Sequence, residues 1–342
     1  MKQKIPTIKL IAEKLNISIS TVSRALKNHP SIGLRTTAQV KKLAAELNYE
    51  PDQTAISFKQ RKTFSIGVIL PNLFESFFNT AINGIEDIAY AGNYNVLIGQ
   101  SRDERAREEK IVETMRRHRV DGVIASISKN TADINHFEKL KDYNIPVVFF
   151  DRVPNVKNIH SVWCSLYNSS IECVNFLAKQ GHKRIAYIQG PSTLNIRNER
   201  LEGYYEGHIS NKLKVDEDLI VTTDFTMAST HEAMRKLSSL KKKPTAIIAF
   251  NDYVALDAIQ YAKKSKLKAG TDFKFVSYAN LPITEYMDHQ PLASVEQFPY
   301  EQGCQATALL LRLIDGKLQE ESIQYENVII KSKLEIYNQD RV

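Results

Sequence analysis

The sequence predicts an N-terminal all-α helix-turn-helix headpiece followed by an α/β core of two doubly wound parallel-sheet lobes. Three observations predict it. The first fifty residues place apolar side chains at helical spacing. From Phe64 onward, short apolar strands alternate with helices in two successive series, the pattern of parallel sheets covered on both faces. The charge is also divided unevenly: residues 1–62 hold 12 Lys or Arg against 4 Asp or Glu, a net of +8, while the rest hold 34 against 35, a net of −1. A charge serving general solubility would be spread evenly, whereas a local one marks a polyanionic partner. Binding of nucleic acid by the N-terminus follows.

In the headpiece, Leu10 to Leu15 has helical spacing, with Ile11, Ala12 and Leu15 apolar, and Asn16-Ile17 makes a tight turn. Ser18–Leu26 follows as the second helix. Ser18 suits an N-cap, because its hydroxyl can accept from an orphan N–H of the first turn. Val22 and Leu26 lie four apart and can pack inward. Ile19, Ser20 and Arg24 fall on or near the opposite face, with the hydroxyls of Thr21 and Ser23 beside them. Small hydroxyls reach phosphates, and Arg can bridge the two acceptors of a guanine edge. An ordinary Ser/Thr-rich surface helix would read the same, so the flanks decide. Thr36 to Asn48 is a third helix, with Val40, Leu43, Ala44 and Leu47 forming one apolar stripe. Three short helices on one small core can present the second of them to a major groove.

Pro51 to Lys62 links the headpiece to the core. Asp52 can cap a short helix with Ala55 and Phe58 on one face. Two readings stand side by side: a solvated basic linker, or a helix that folds only against DNA and offers Phe58 as an apolar wedge to the minor groove.

The core reads in order as a strand at 65–70, helix 77–91, strand 94–99, helix 105–118, strand 122–126, helix 134–143 and strand 147–150. A second series runs through helix 168–180, strand 184–189, helix 198–208, strand 219–222, helix 229–240, strand 246–250, helix 252–264 and strand 274–278. A helix at 300–314 and strands near 325–330 and 333–337 close the chain. Two such series suggest two similar lobes with a ligand cleft between them, at the carboxyl ends of the strands.

Several function classes find no support. The sequence has no Gly-x-Gly-x-x-Gly, no Gly-x-x-x-x-Gly-Lys and no Gly-x-Ser-x-Gly, and no Ser/His/Asp set stands out. The 8 His show no metal-ligand spacing, so neither metal nor cofactor is expected. The start carries no secretory pattern, and the longest apolar runs, near Val147–Phe150 and Ala246–Phe250, are too short to span a bilayer. Cys164, Cys173 and Cys304 are odd in number and widely spaced, as suits free buried thiols in a reducing cytoplasm.

In sequence the chain resembles the lactose/galactose repressor (LacI/GalR) family. The likeness rests on Leu10-Ile11-Ala12-Glu13, Thr21-Val22-Ser23-Arg24 within the Ser18–Leu26 helix, and Glu46-Leu47-Asn48-Tyr49-Glu50-Pro51. It continues through Ile66-Gly67-Val68, Phe77-Phe78, Phe150-Asp151-Arg152 and Gly181-His182-Lys183-Arg184-Ile185-Ala186. It extends to Gly190-Pro191, Arg200-Leu201-Glu202-Gly203-Tyr204, Ala249-Phe250-Asn251-Asp252 and Val276-Ser277-Tyr278. Order and spacing hold over nearly the whole chain.

The resemblance implies a homodimeric, effector-responsive transcription regulator, most simply a repressor of carbohydrate-metabolism genes, with a core like the periplasmic sugar-binding proteins. It implies residues 1–50 as headpiece and 51–62 as hinge helix or linker. Residues 63–162 with 293–324 would form one core lobe, and 163–292 with 325–342 the other. Carried over by position, Ile19, Ser20 and Arg24 would read bases of a near-palindromic operator, with Thr21 and Ser23 nearer phosphates. Thr7, Ser18, Lys27, Arg35 and Thr36 complete the expected DNA set, with Ala55 and Phe58 from the linker. The family's wedge residue is usually leucine; here Phe58 holds its place. Gly33 stands where a Ser often caps the third helix.

In the cleft, the resemblance puts Asp151, Arg200, Phe225, Asn251 and Gln297 where members hold sugar hydroxyls or stack on the ring, with Phe77 and Phe78 as walls. The chemistry is sound by itself, since Asp, Asn and Gln exchange hydrogen bonds with hydroxyls, Arg supplies a rigid fork of donors and an aromatic face suits a sugar ring. Each also has a plainer role open to it: Arg200 as a surface ion-pair partner, Phe225 as core, Asn251 as a helix cap. Ala279 lacks the polar contact common there, and Cys164-Ser165-Leu166 lacks the usual Asp-Asn pair. A ligand in the cleft would change the angle between lobes and so seat or release the headpieces. Other functions that fit the residues are a solute-binding sensor, or an α/β enzyme core, fused to a DNA-binding module. The chain ends without an apolar heptad, so a dimer is expected rather than a tail-mediated tetramer.

Overall fold

A computed structural model describes residues 6–50, 62–194, 196, 198–265, 267, 273–286, 290–316 and 324–337. The chain divides into two compact units, Met1–Thr63 and Phe64–Val342. The linker segment 51–61, with Ala55 and Phe58 and its expected short helix, lies outside the described residues.

The described residues of the first unit form three helices: α1 (Ile8–Leu15), α2 (Ile19–Leu26) and α3 (Leu34–Glu46). Their core is Ile11, Ala12, Val22, Ala25, Val40 and Ala44, with Leu15, Leu26, Leu43 and Leu47 half-buried around it. Leu26 is therefore rim rather than centre, and Ala25 takes the inward position beside Val22 because its small side chain lets the helices close. The chain leaves each helix through an asparagine in the left-handed region: Asn16 at φ 51°, Asn28 at φ 55° and Asn48 at φ 48°. Asparagine tolerates that conformation better than other side-chain-bearing residues, which ends the helix sharply.

The second unit holds twelve described strands in two six-stranded sheets. The first orders β11-β5-β4-β3-β1-β2 and the second β12-β10-β9-β8-β6-β7. Here β1 is Ser65–Leu70, β2 Asn95–Gln100, β3 Gly122–Ala125, β4 Val147–Phe150, β5 His160–Ser165 and β6 Ile185–Gln189. The others are β7 Ile220–Thr222, β8 Ala246–Ala249, β9 Lys274–Tyr278, β10 Ala293–Glu296, β11 Asn327–Lys331 and β12 Lys333–Ile336. Pairing is parallel throughout except for β12, which runs antiparallel on β10. The first sheet carries α4 (Ser76–Ala91), α5 (Arg105–Arg117), α6 (Asn135–Glu138) and α11 (Pro299–Ile314). The second carries α7 (Tyr167–Lys179), α8 (Glu199–Ser210), α9 (Met227–Ser239) and α10 (Asp252–Lys264).

The chain crosses between lobes three times, after β5, after β10 and between β11 and β12. This corrects the division expected above. Residues 293–296 complete the second sheet before the chain crosses, and 327–331 belong to the first sheet, paired with β5. Strands β5 and β10 themselves were not expected, because His160, Ser161 and Ser294 interrupt any apolar run. Their polar side chains are buried but satisfied: Ser161 Oγ donates to Asn327 Oδ1 at 2.5 Å, and Ser294 Oγ to Asp252 at 2.8 Å. The helix expected at 134–143 is only α6 plus a 3₁₀ turn at Lys141–Tyr143, which Asn144 ends at φ 55°.

Helices α4 and α11 meet backbone to backbone. A Cβ added at Gly84 would fall on the Tyr300 carbonyl, and one at Gly303 on the Ala81 carbonyl. The returning helix is thereby fitted tightly to the first lobe, beside the strand ends that wall the cleft.

Candidate functional site

Two surfaces carry chemistry, one in each unit. On the headpiece, Ser18 caps α2, its Oγ accepting from Thr21 N–H at 3.1 Å, and lies 2.7 Å from Ser20 Oγ and 2.8 Å from Thr21 Oγ1. Val22 and Ala25 point into the core, which leaves Ile19, Ser20 and Arg24 exposed on the other face, Ile19 at 45%. An exposed isoleucine beside an arginine and hydroxyls suits apolar and polar contact with base edges. Thr7 caps α1, Lys27 and Arg35 are exposed, and Thr21, Ser23 and Thr36 are half-buried. Gly33 is the N-cap of α3 and gives it no side-chain cap.

In the second unit, a cleft lies where the two sheets' strand ends face each other. It gathers six of the seven expected ligand residues: Phe77, Phe78, Asp151, Arg200, Asn251 and Gln297. Phe77 and Phe78 begin α4 and pack edge to face, centroids 5.3 Å apart. Phe225 is not among the lining residues; its ring packs against that of Phe250, centroids 4.9 Å apart.

Asp151 follows the last residue of β4 in a left-handed conformation, φ 55°, and accepts from Ser126 Oγ at 3.3 Å. Burial pushes its carboxyl up to about 6; Arg152 and Arg200 oppose that shift and Glu75 adds to it. Arg200 opens α8 with its guanidinium 4.1 Å from the centre of the Phe250 ring and 4.9 Å from that of Tyr278. One terminal nitrogen donates to Gln297 Oε1 at 3.2 Å, while Nε is buried without a partner. A buried donor left unsatisfied in a cleft points to a ligand acceptor. Asn251 caps α10, its Oδ1 accepting from Val254 N–H at 2.9 Å, which leaves its amide nitrogen to the cleft.

Glu75, Arg152, Glu199 and Phe250 also line the cleft and are not among the residues expected from the sequence. Arg152 and Phe250 each neighbour an expected site residue in sequence, which was the available signal. Glu75 had none, for it is a loop residue held by Asn72. Glu199 is committed to structure, accepting from Leu166 N–H at 2.5 Å. Ala279 and Leu281 add apolar surface where a polar contact was sought, and Cys164 lines the cleft as a protonated thiol, burial lifting it to about 12. Cys173 is buried and Cys304 half-buried. Among the described residues, no group of three or more His, Cys, Asp or Glu could hold a metal ion, and no helix is long and apolar enough to cross a membrane.

Known protein families match both units. Residues 7–52 match the family described as bacterial regulatory proteins, lacI family. Residues 63–338 match periplasmic binding proteins and sugar binding domain of LacI family. The HTH-type transcriptional repressor CytR of Escherichia coli (strain K12) is 31% identical over 311 residues, 91% of this chain and 90% of that protein. Catabolite control protein A of Priestia megaterium is 30% identical over 318 residues, 93% of this chain and 95% of that one. Among solved structures, the lac repressor dimer bound to operator and the anti-inducer ONPF superposes with a TM-score of 0.81 at 23% identity, covering 97% of this chain and 98% of that one. The CelR–cellobiose complex gives 0.72 at 23% identity over 97% and 98%. The two structural likenesses carry the fold.

Proposed function

The chain belongs to the LacI family of bacterial regulatory proteins, and from that premise we propose how it works: as a cytoplasmic, homodimeric repressor of carbohydrate-metabolism genes whose hold on a near-palindromic operator is set by a hydroxyl-rich, non-anionic ligand in the interlobe cleft. Repressors such as CytR are its relatives over nine-tenths of its length, and none of the relatives named above is an enzyme by name.

Arg24, Ile19 and Ser20 of α2 read base edges in each half-site; Thr21 and Ser23 lie nearer phosphates. Thr7, Ser18, Lys27, Arg35 and Thr36 position the unit, and Ala55 and Phe58 act from the linker. The observation that carries the DNA half is the net of +8 held by the first 62 residues, on a compact unit that leaves Arg24, Lys27 and Arg35 exposed.

The ligand class follows from the charges of the cleft. Three carboxylates, Glu75, Asp151 and Glu199, face two cations, Arg152 and Arg200, and the Arg152 guanidinium already donates to Asp103 at 2.6 Å. A phosphate would meet net repulsion there. A neutral polyol would give its hydroxyl protons to Asp151 and Glu75, accept from Arg200 and the Asn251 amide, and lay its apolar face on aromatic rings. A neighbouring cavity shares Arg200, Phe250, Leu194 and Ile196 with the cleft. The cellobiose complex of a structural neighbour supports the same class.

A ligand shifts the protein only if it binds the two lobe arrangements with different affinity. Asp151 and Phe78 on one lobe and Arg200 and Asn251 on the other supply that difference, since one ligand satisfies both only when the lobes are closed. The test is selection of duplexes from random DNA by the full chain, followed by addition of neutral sugars and their phosphates. A palindromic site released by a neutral sugar is the expected result; sequence-blind binding, or release by phosphosugars only, contradicts the reading.

A further inference from the structure

One carboxylate oxygen in the first lobe holds two residues whose side chains reach the second. Asp103 Oδ1 accepts from the Arg152 guanidinium at 2.6 Å and from the Lys129 backbone N–H at 2.8 Å. Lys129 Nζ then donates across the cleft to the Asp224 carbonyl at 2.9 Å. The Arg152 guanidinium stands 5.8 Å from the centre of the Phe225 ring, within cation–π range. Asp224 and Phe225 are consecutive in the loop after β7, so both arms land on the same short segment. We propose that Asp103, Lys129 and Arg152 form a latch that keeps the two lobes closed, with Asp103 as the positioning residue for both arms.

Both ends of the latch are preformed. Lys129 projects from a loop braced underneath by Glu108, a buried carboxylate that accepts from Ser128 N–H at 2.6 Å, from Ser128 Oγ and Thr131 Oγ1 at 2.7 Å each, and pairs with His136 Nε2 at 2.8 Å. On the other side, Thr223 Oγ1 accepts from Phe225 N–H at 3.2 Å, and Asp224 Oδ1 from Thr226 N–H at 2.9 Å. The backbone is left-handed at Asp103, φ 59°, and at Phe225, φ 73°. Such a conformation is unusual for phenylalanine and persists only where the surroundings impose it. Two rigid surfaces joined by one exposed hydrogen bond and one cation–π contact make a fastening that can open. Arg152 alone of the three also lines the cleft, which places the latch within reach of whatever binds there. The latch rests on the proposed function only in taking that cleft as the ligand site.

Hydrogen exchange on the full chain without ligand or DNA tests it, independently of whether the regulatory reading holds. Lys129→Ala and Asp103→Asn are expected to speed amide exchange roughly tenfold in residues 223–226 of one lobe and 72–78 of the other, through more frequent opening. Exchange in strand 185–189 should stay unchanged. Lys129→Arg, long enough to reach the same carbonyl, should keep the original protection. Rates within twofold of the parent in Lys129→Ala would overturn the latch. So would loosening confined to residues 127–131, which marks a purely local role. Should Asp103→Asn fail to fold, Lys129→Ala decides alone, since its amine bonds the exposed Asp224 carbonyl and otherwise acts only by charge on the Asp224 carboxylate.

Discussion

Arg200 lies against Phe250 with its guanidinium carbon 4.1 Å from the ring centre, and its buried Nε has no hydrogen-bond partner. Contact with the ring constrains the plane of the guanidinium, and with it the directions of its donors. Lysine offers a point charge without the planar fork. Arg200→Lys is therefore expected to weaken ligand binding nearly as much as Arg200→Ala. Each should lose about 10–100-fold, the range of one charged hydrogen bond, in calorimetric titration with the sugar that releases DNA.

The pH response of the cleft follows from Asp151. Burial raises its carboxyl to about 6 in the ligand-free chain. Hydroxyls that donate to it favour the ionised form, so ligand and proton compete. Affinity should be constant above about pH 6 and fall as the pH drops below it, because the protonated carboxyl accepts from hydroxyls more weakly than the carboxylate does. Titrations between pH 5 and 8 check this, and Asp151→Asn should flatten the profile while lowering affinity throughout. Asp252, also lifted to about 6 by burial, remains in that variant, so a surviving slope would belong to Asp252 instead.

Much of this was legible in the sequence, for identifiable reasons. Val40 and Ala44 fall on one helical stripe, and 66–70 and 246–249 are runs without a polar side chain, so the pattern located them. Strands β5 and β10 were hidden because His160, Ser161 and Ser294 are polar, and their partners, Glu326, Asn327 and Asp252, lie 42 to 166 residues away. That distance also misplaced the lobe boundary. In the cleft, Asp151 and Arg200 could be assigned by family likeness. Glu75 and the Asp103–Arg152 contact could not, since nothing local in a loop sequence says which carboxylate another segment will meet.

Arg24 is exposed on the face of α2 opposite the buried Val22 and Ala25. Arg24→Ala should cost about 1–3 kcal/mol on the selected site and relax preference at one base position. Binding to the selected duplex and its point variants measures this. Equal losses on every duplex would make Arg24 a phosphate contact.

Two glycines give opposite stability expectations. At Gly33 a Cβ would meet nothing within 4 Å, and the residue caps α3 without a side-chain bond. Gly33→Ser should stabilise the headpiece by a few tenths of a kcal/mol, roughly the difference between these caps. At Gly303 a Cβ would strike the Ala81 carbonyl, so Gly303→Ala should destabilise the core by about 1–3 kcal/mol. Thermal or urea melts of the two variants check both signs.

The central claim is a division of labour: the basic first unit grips DNA and the nearly neutral core governs it. Its most direct test measures duplex binding over a salt series for the full chain and for residues 62–342. The full chain should bind the selected site with affinity falling steeply as salt rises, and the core alone should bind no duplex measurably. Equal binding by the two would contradict the claim.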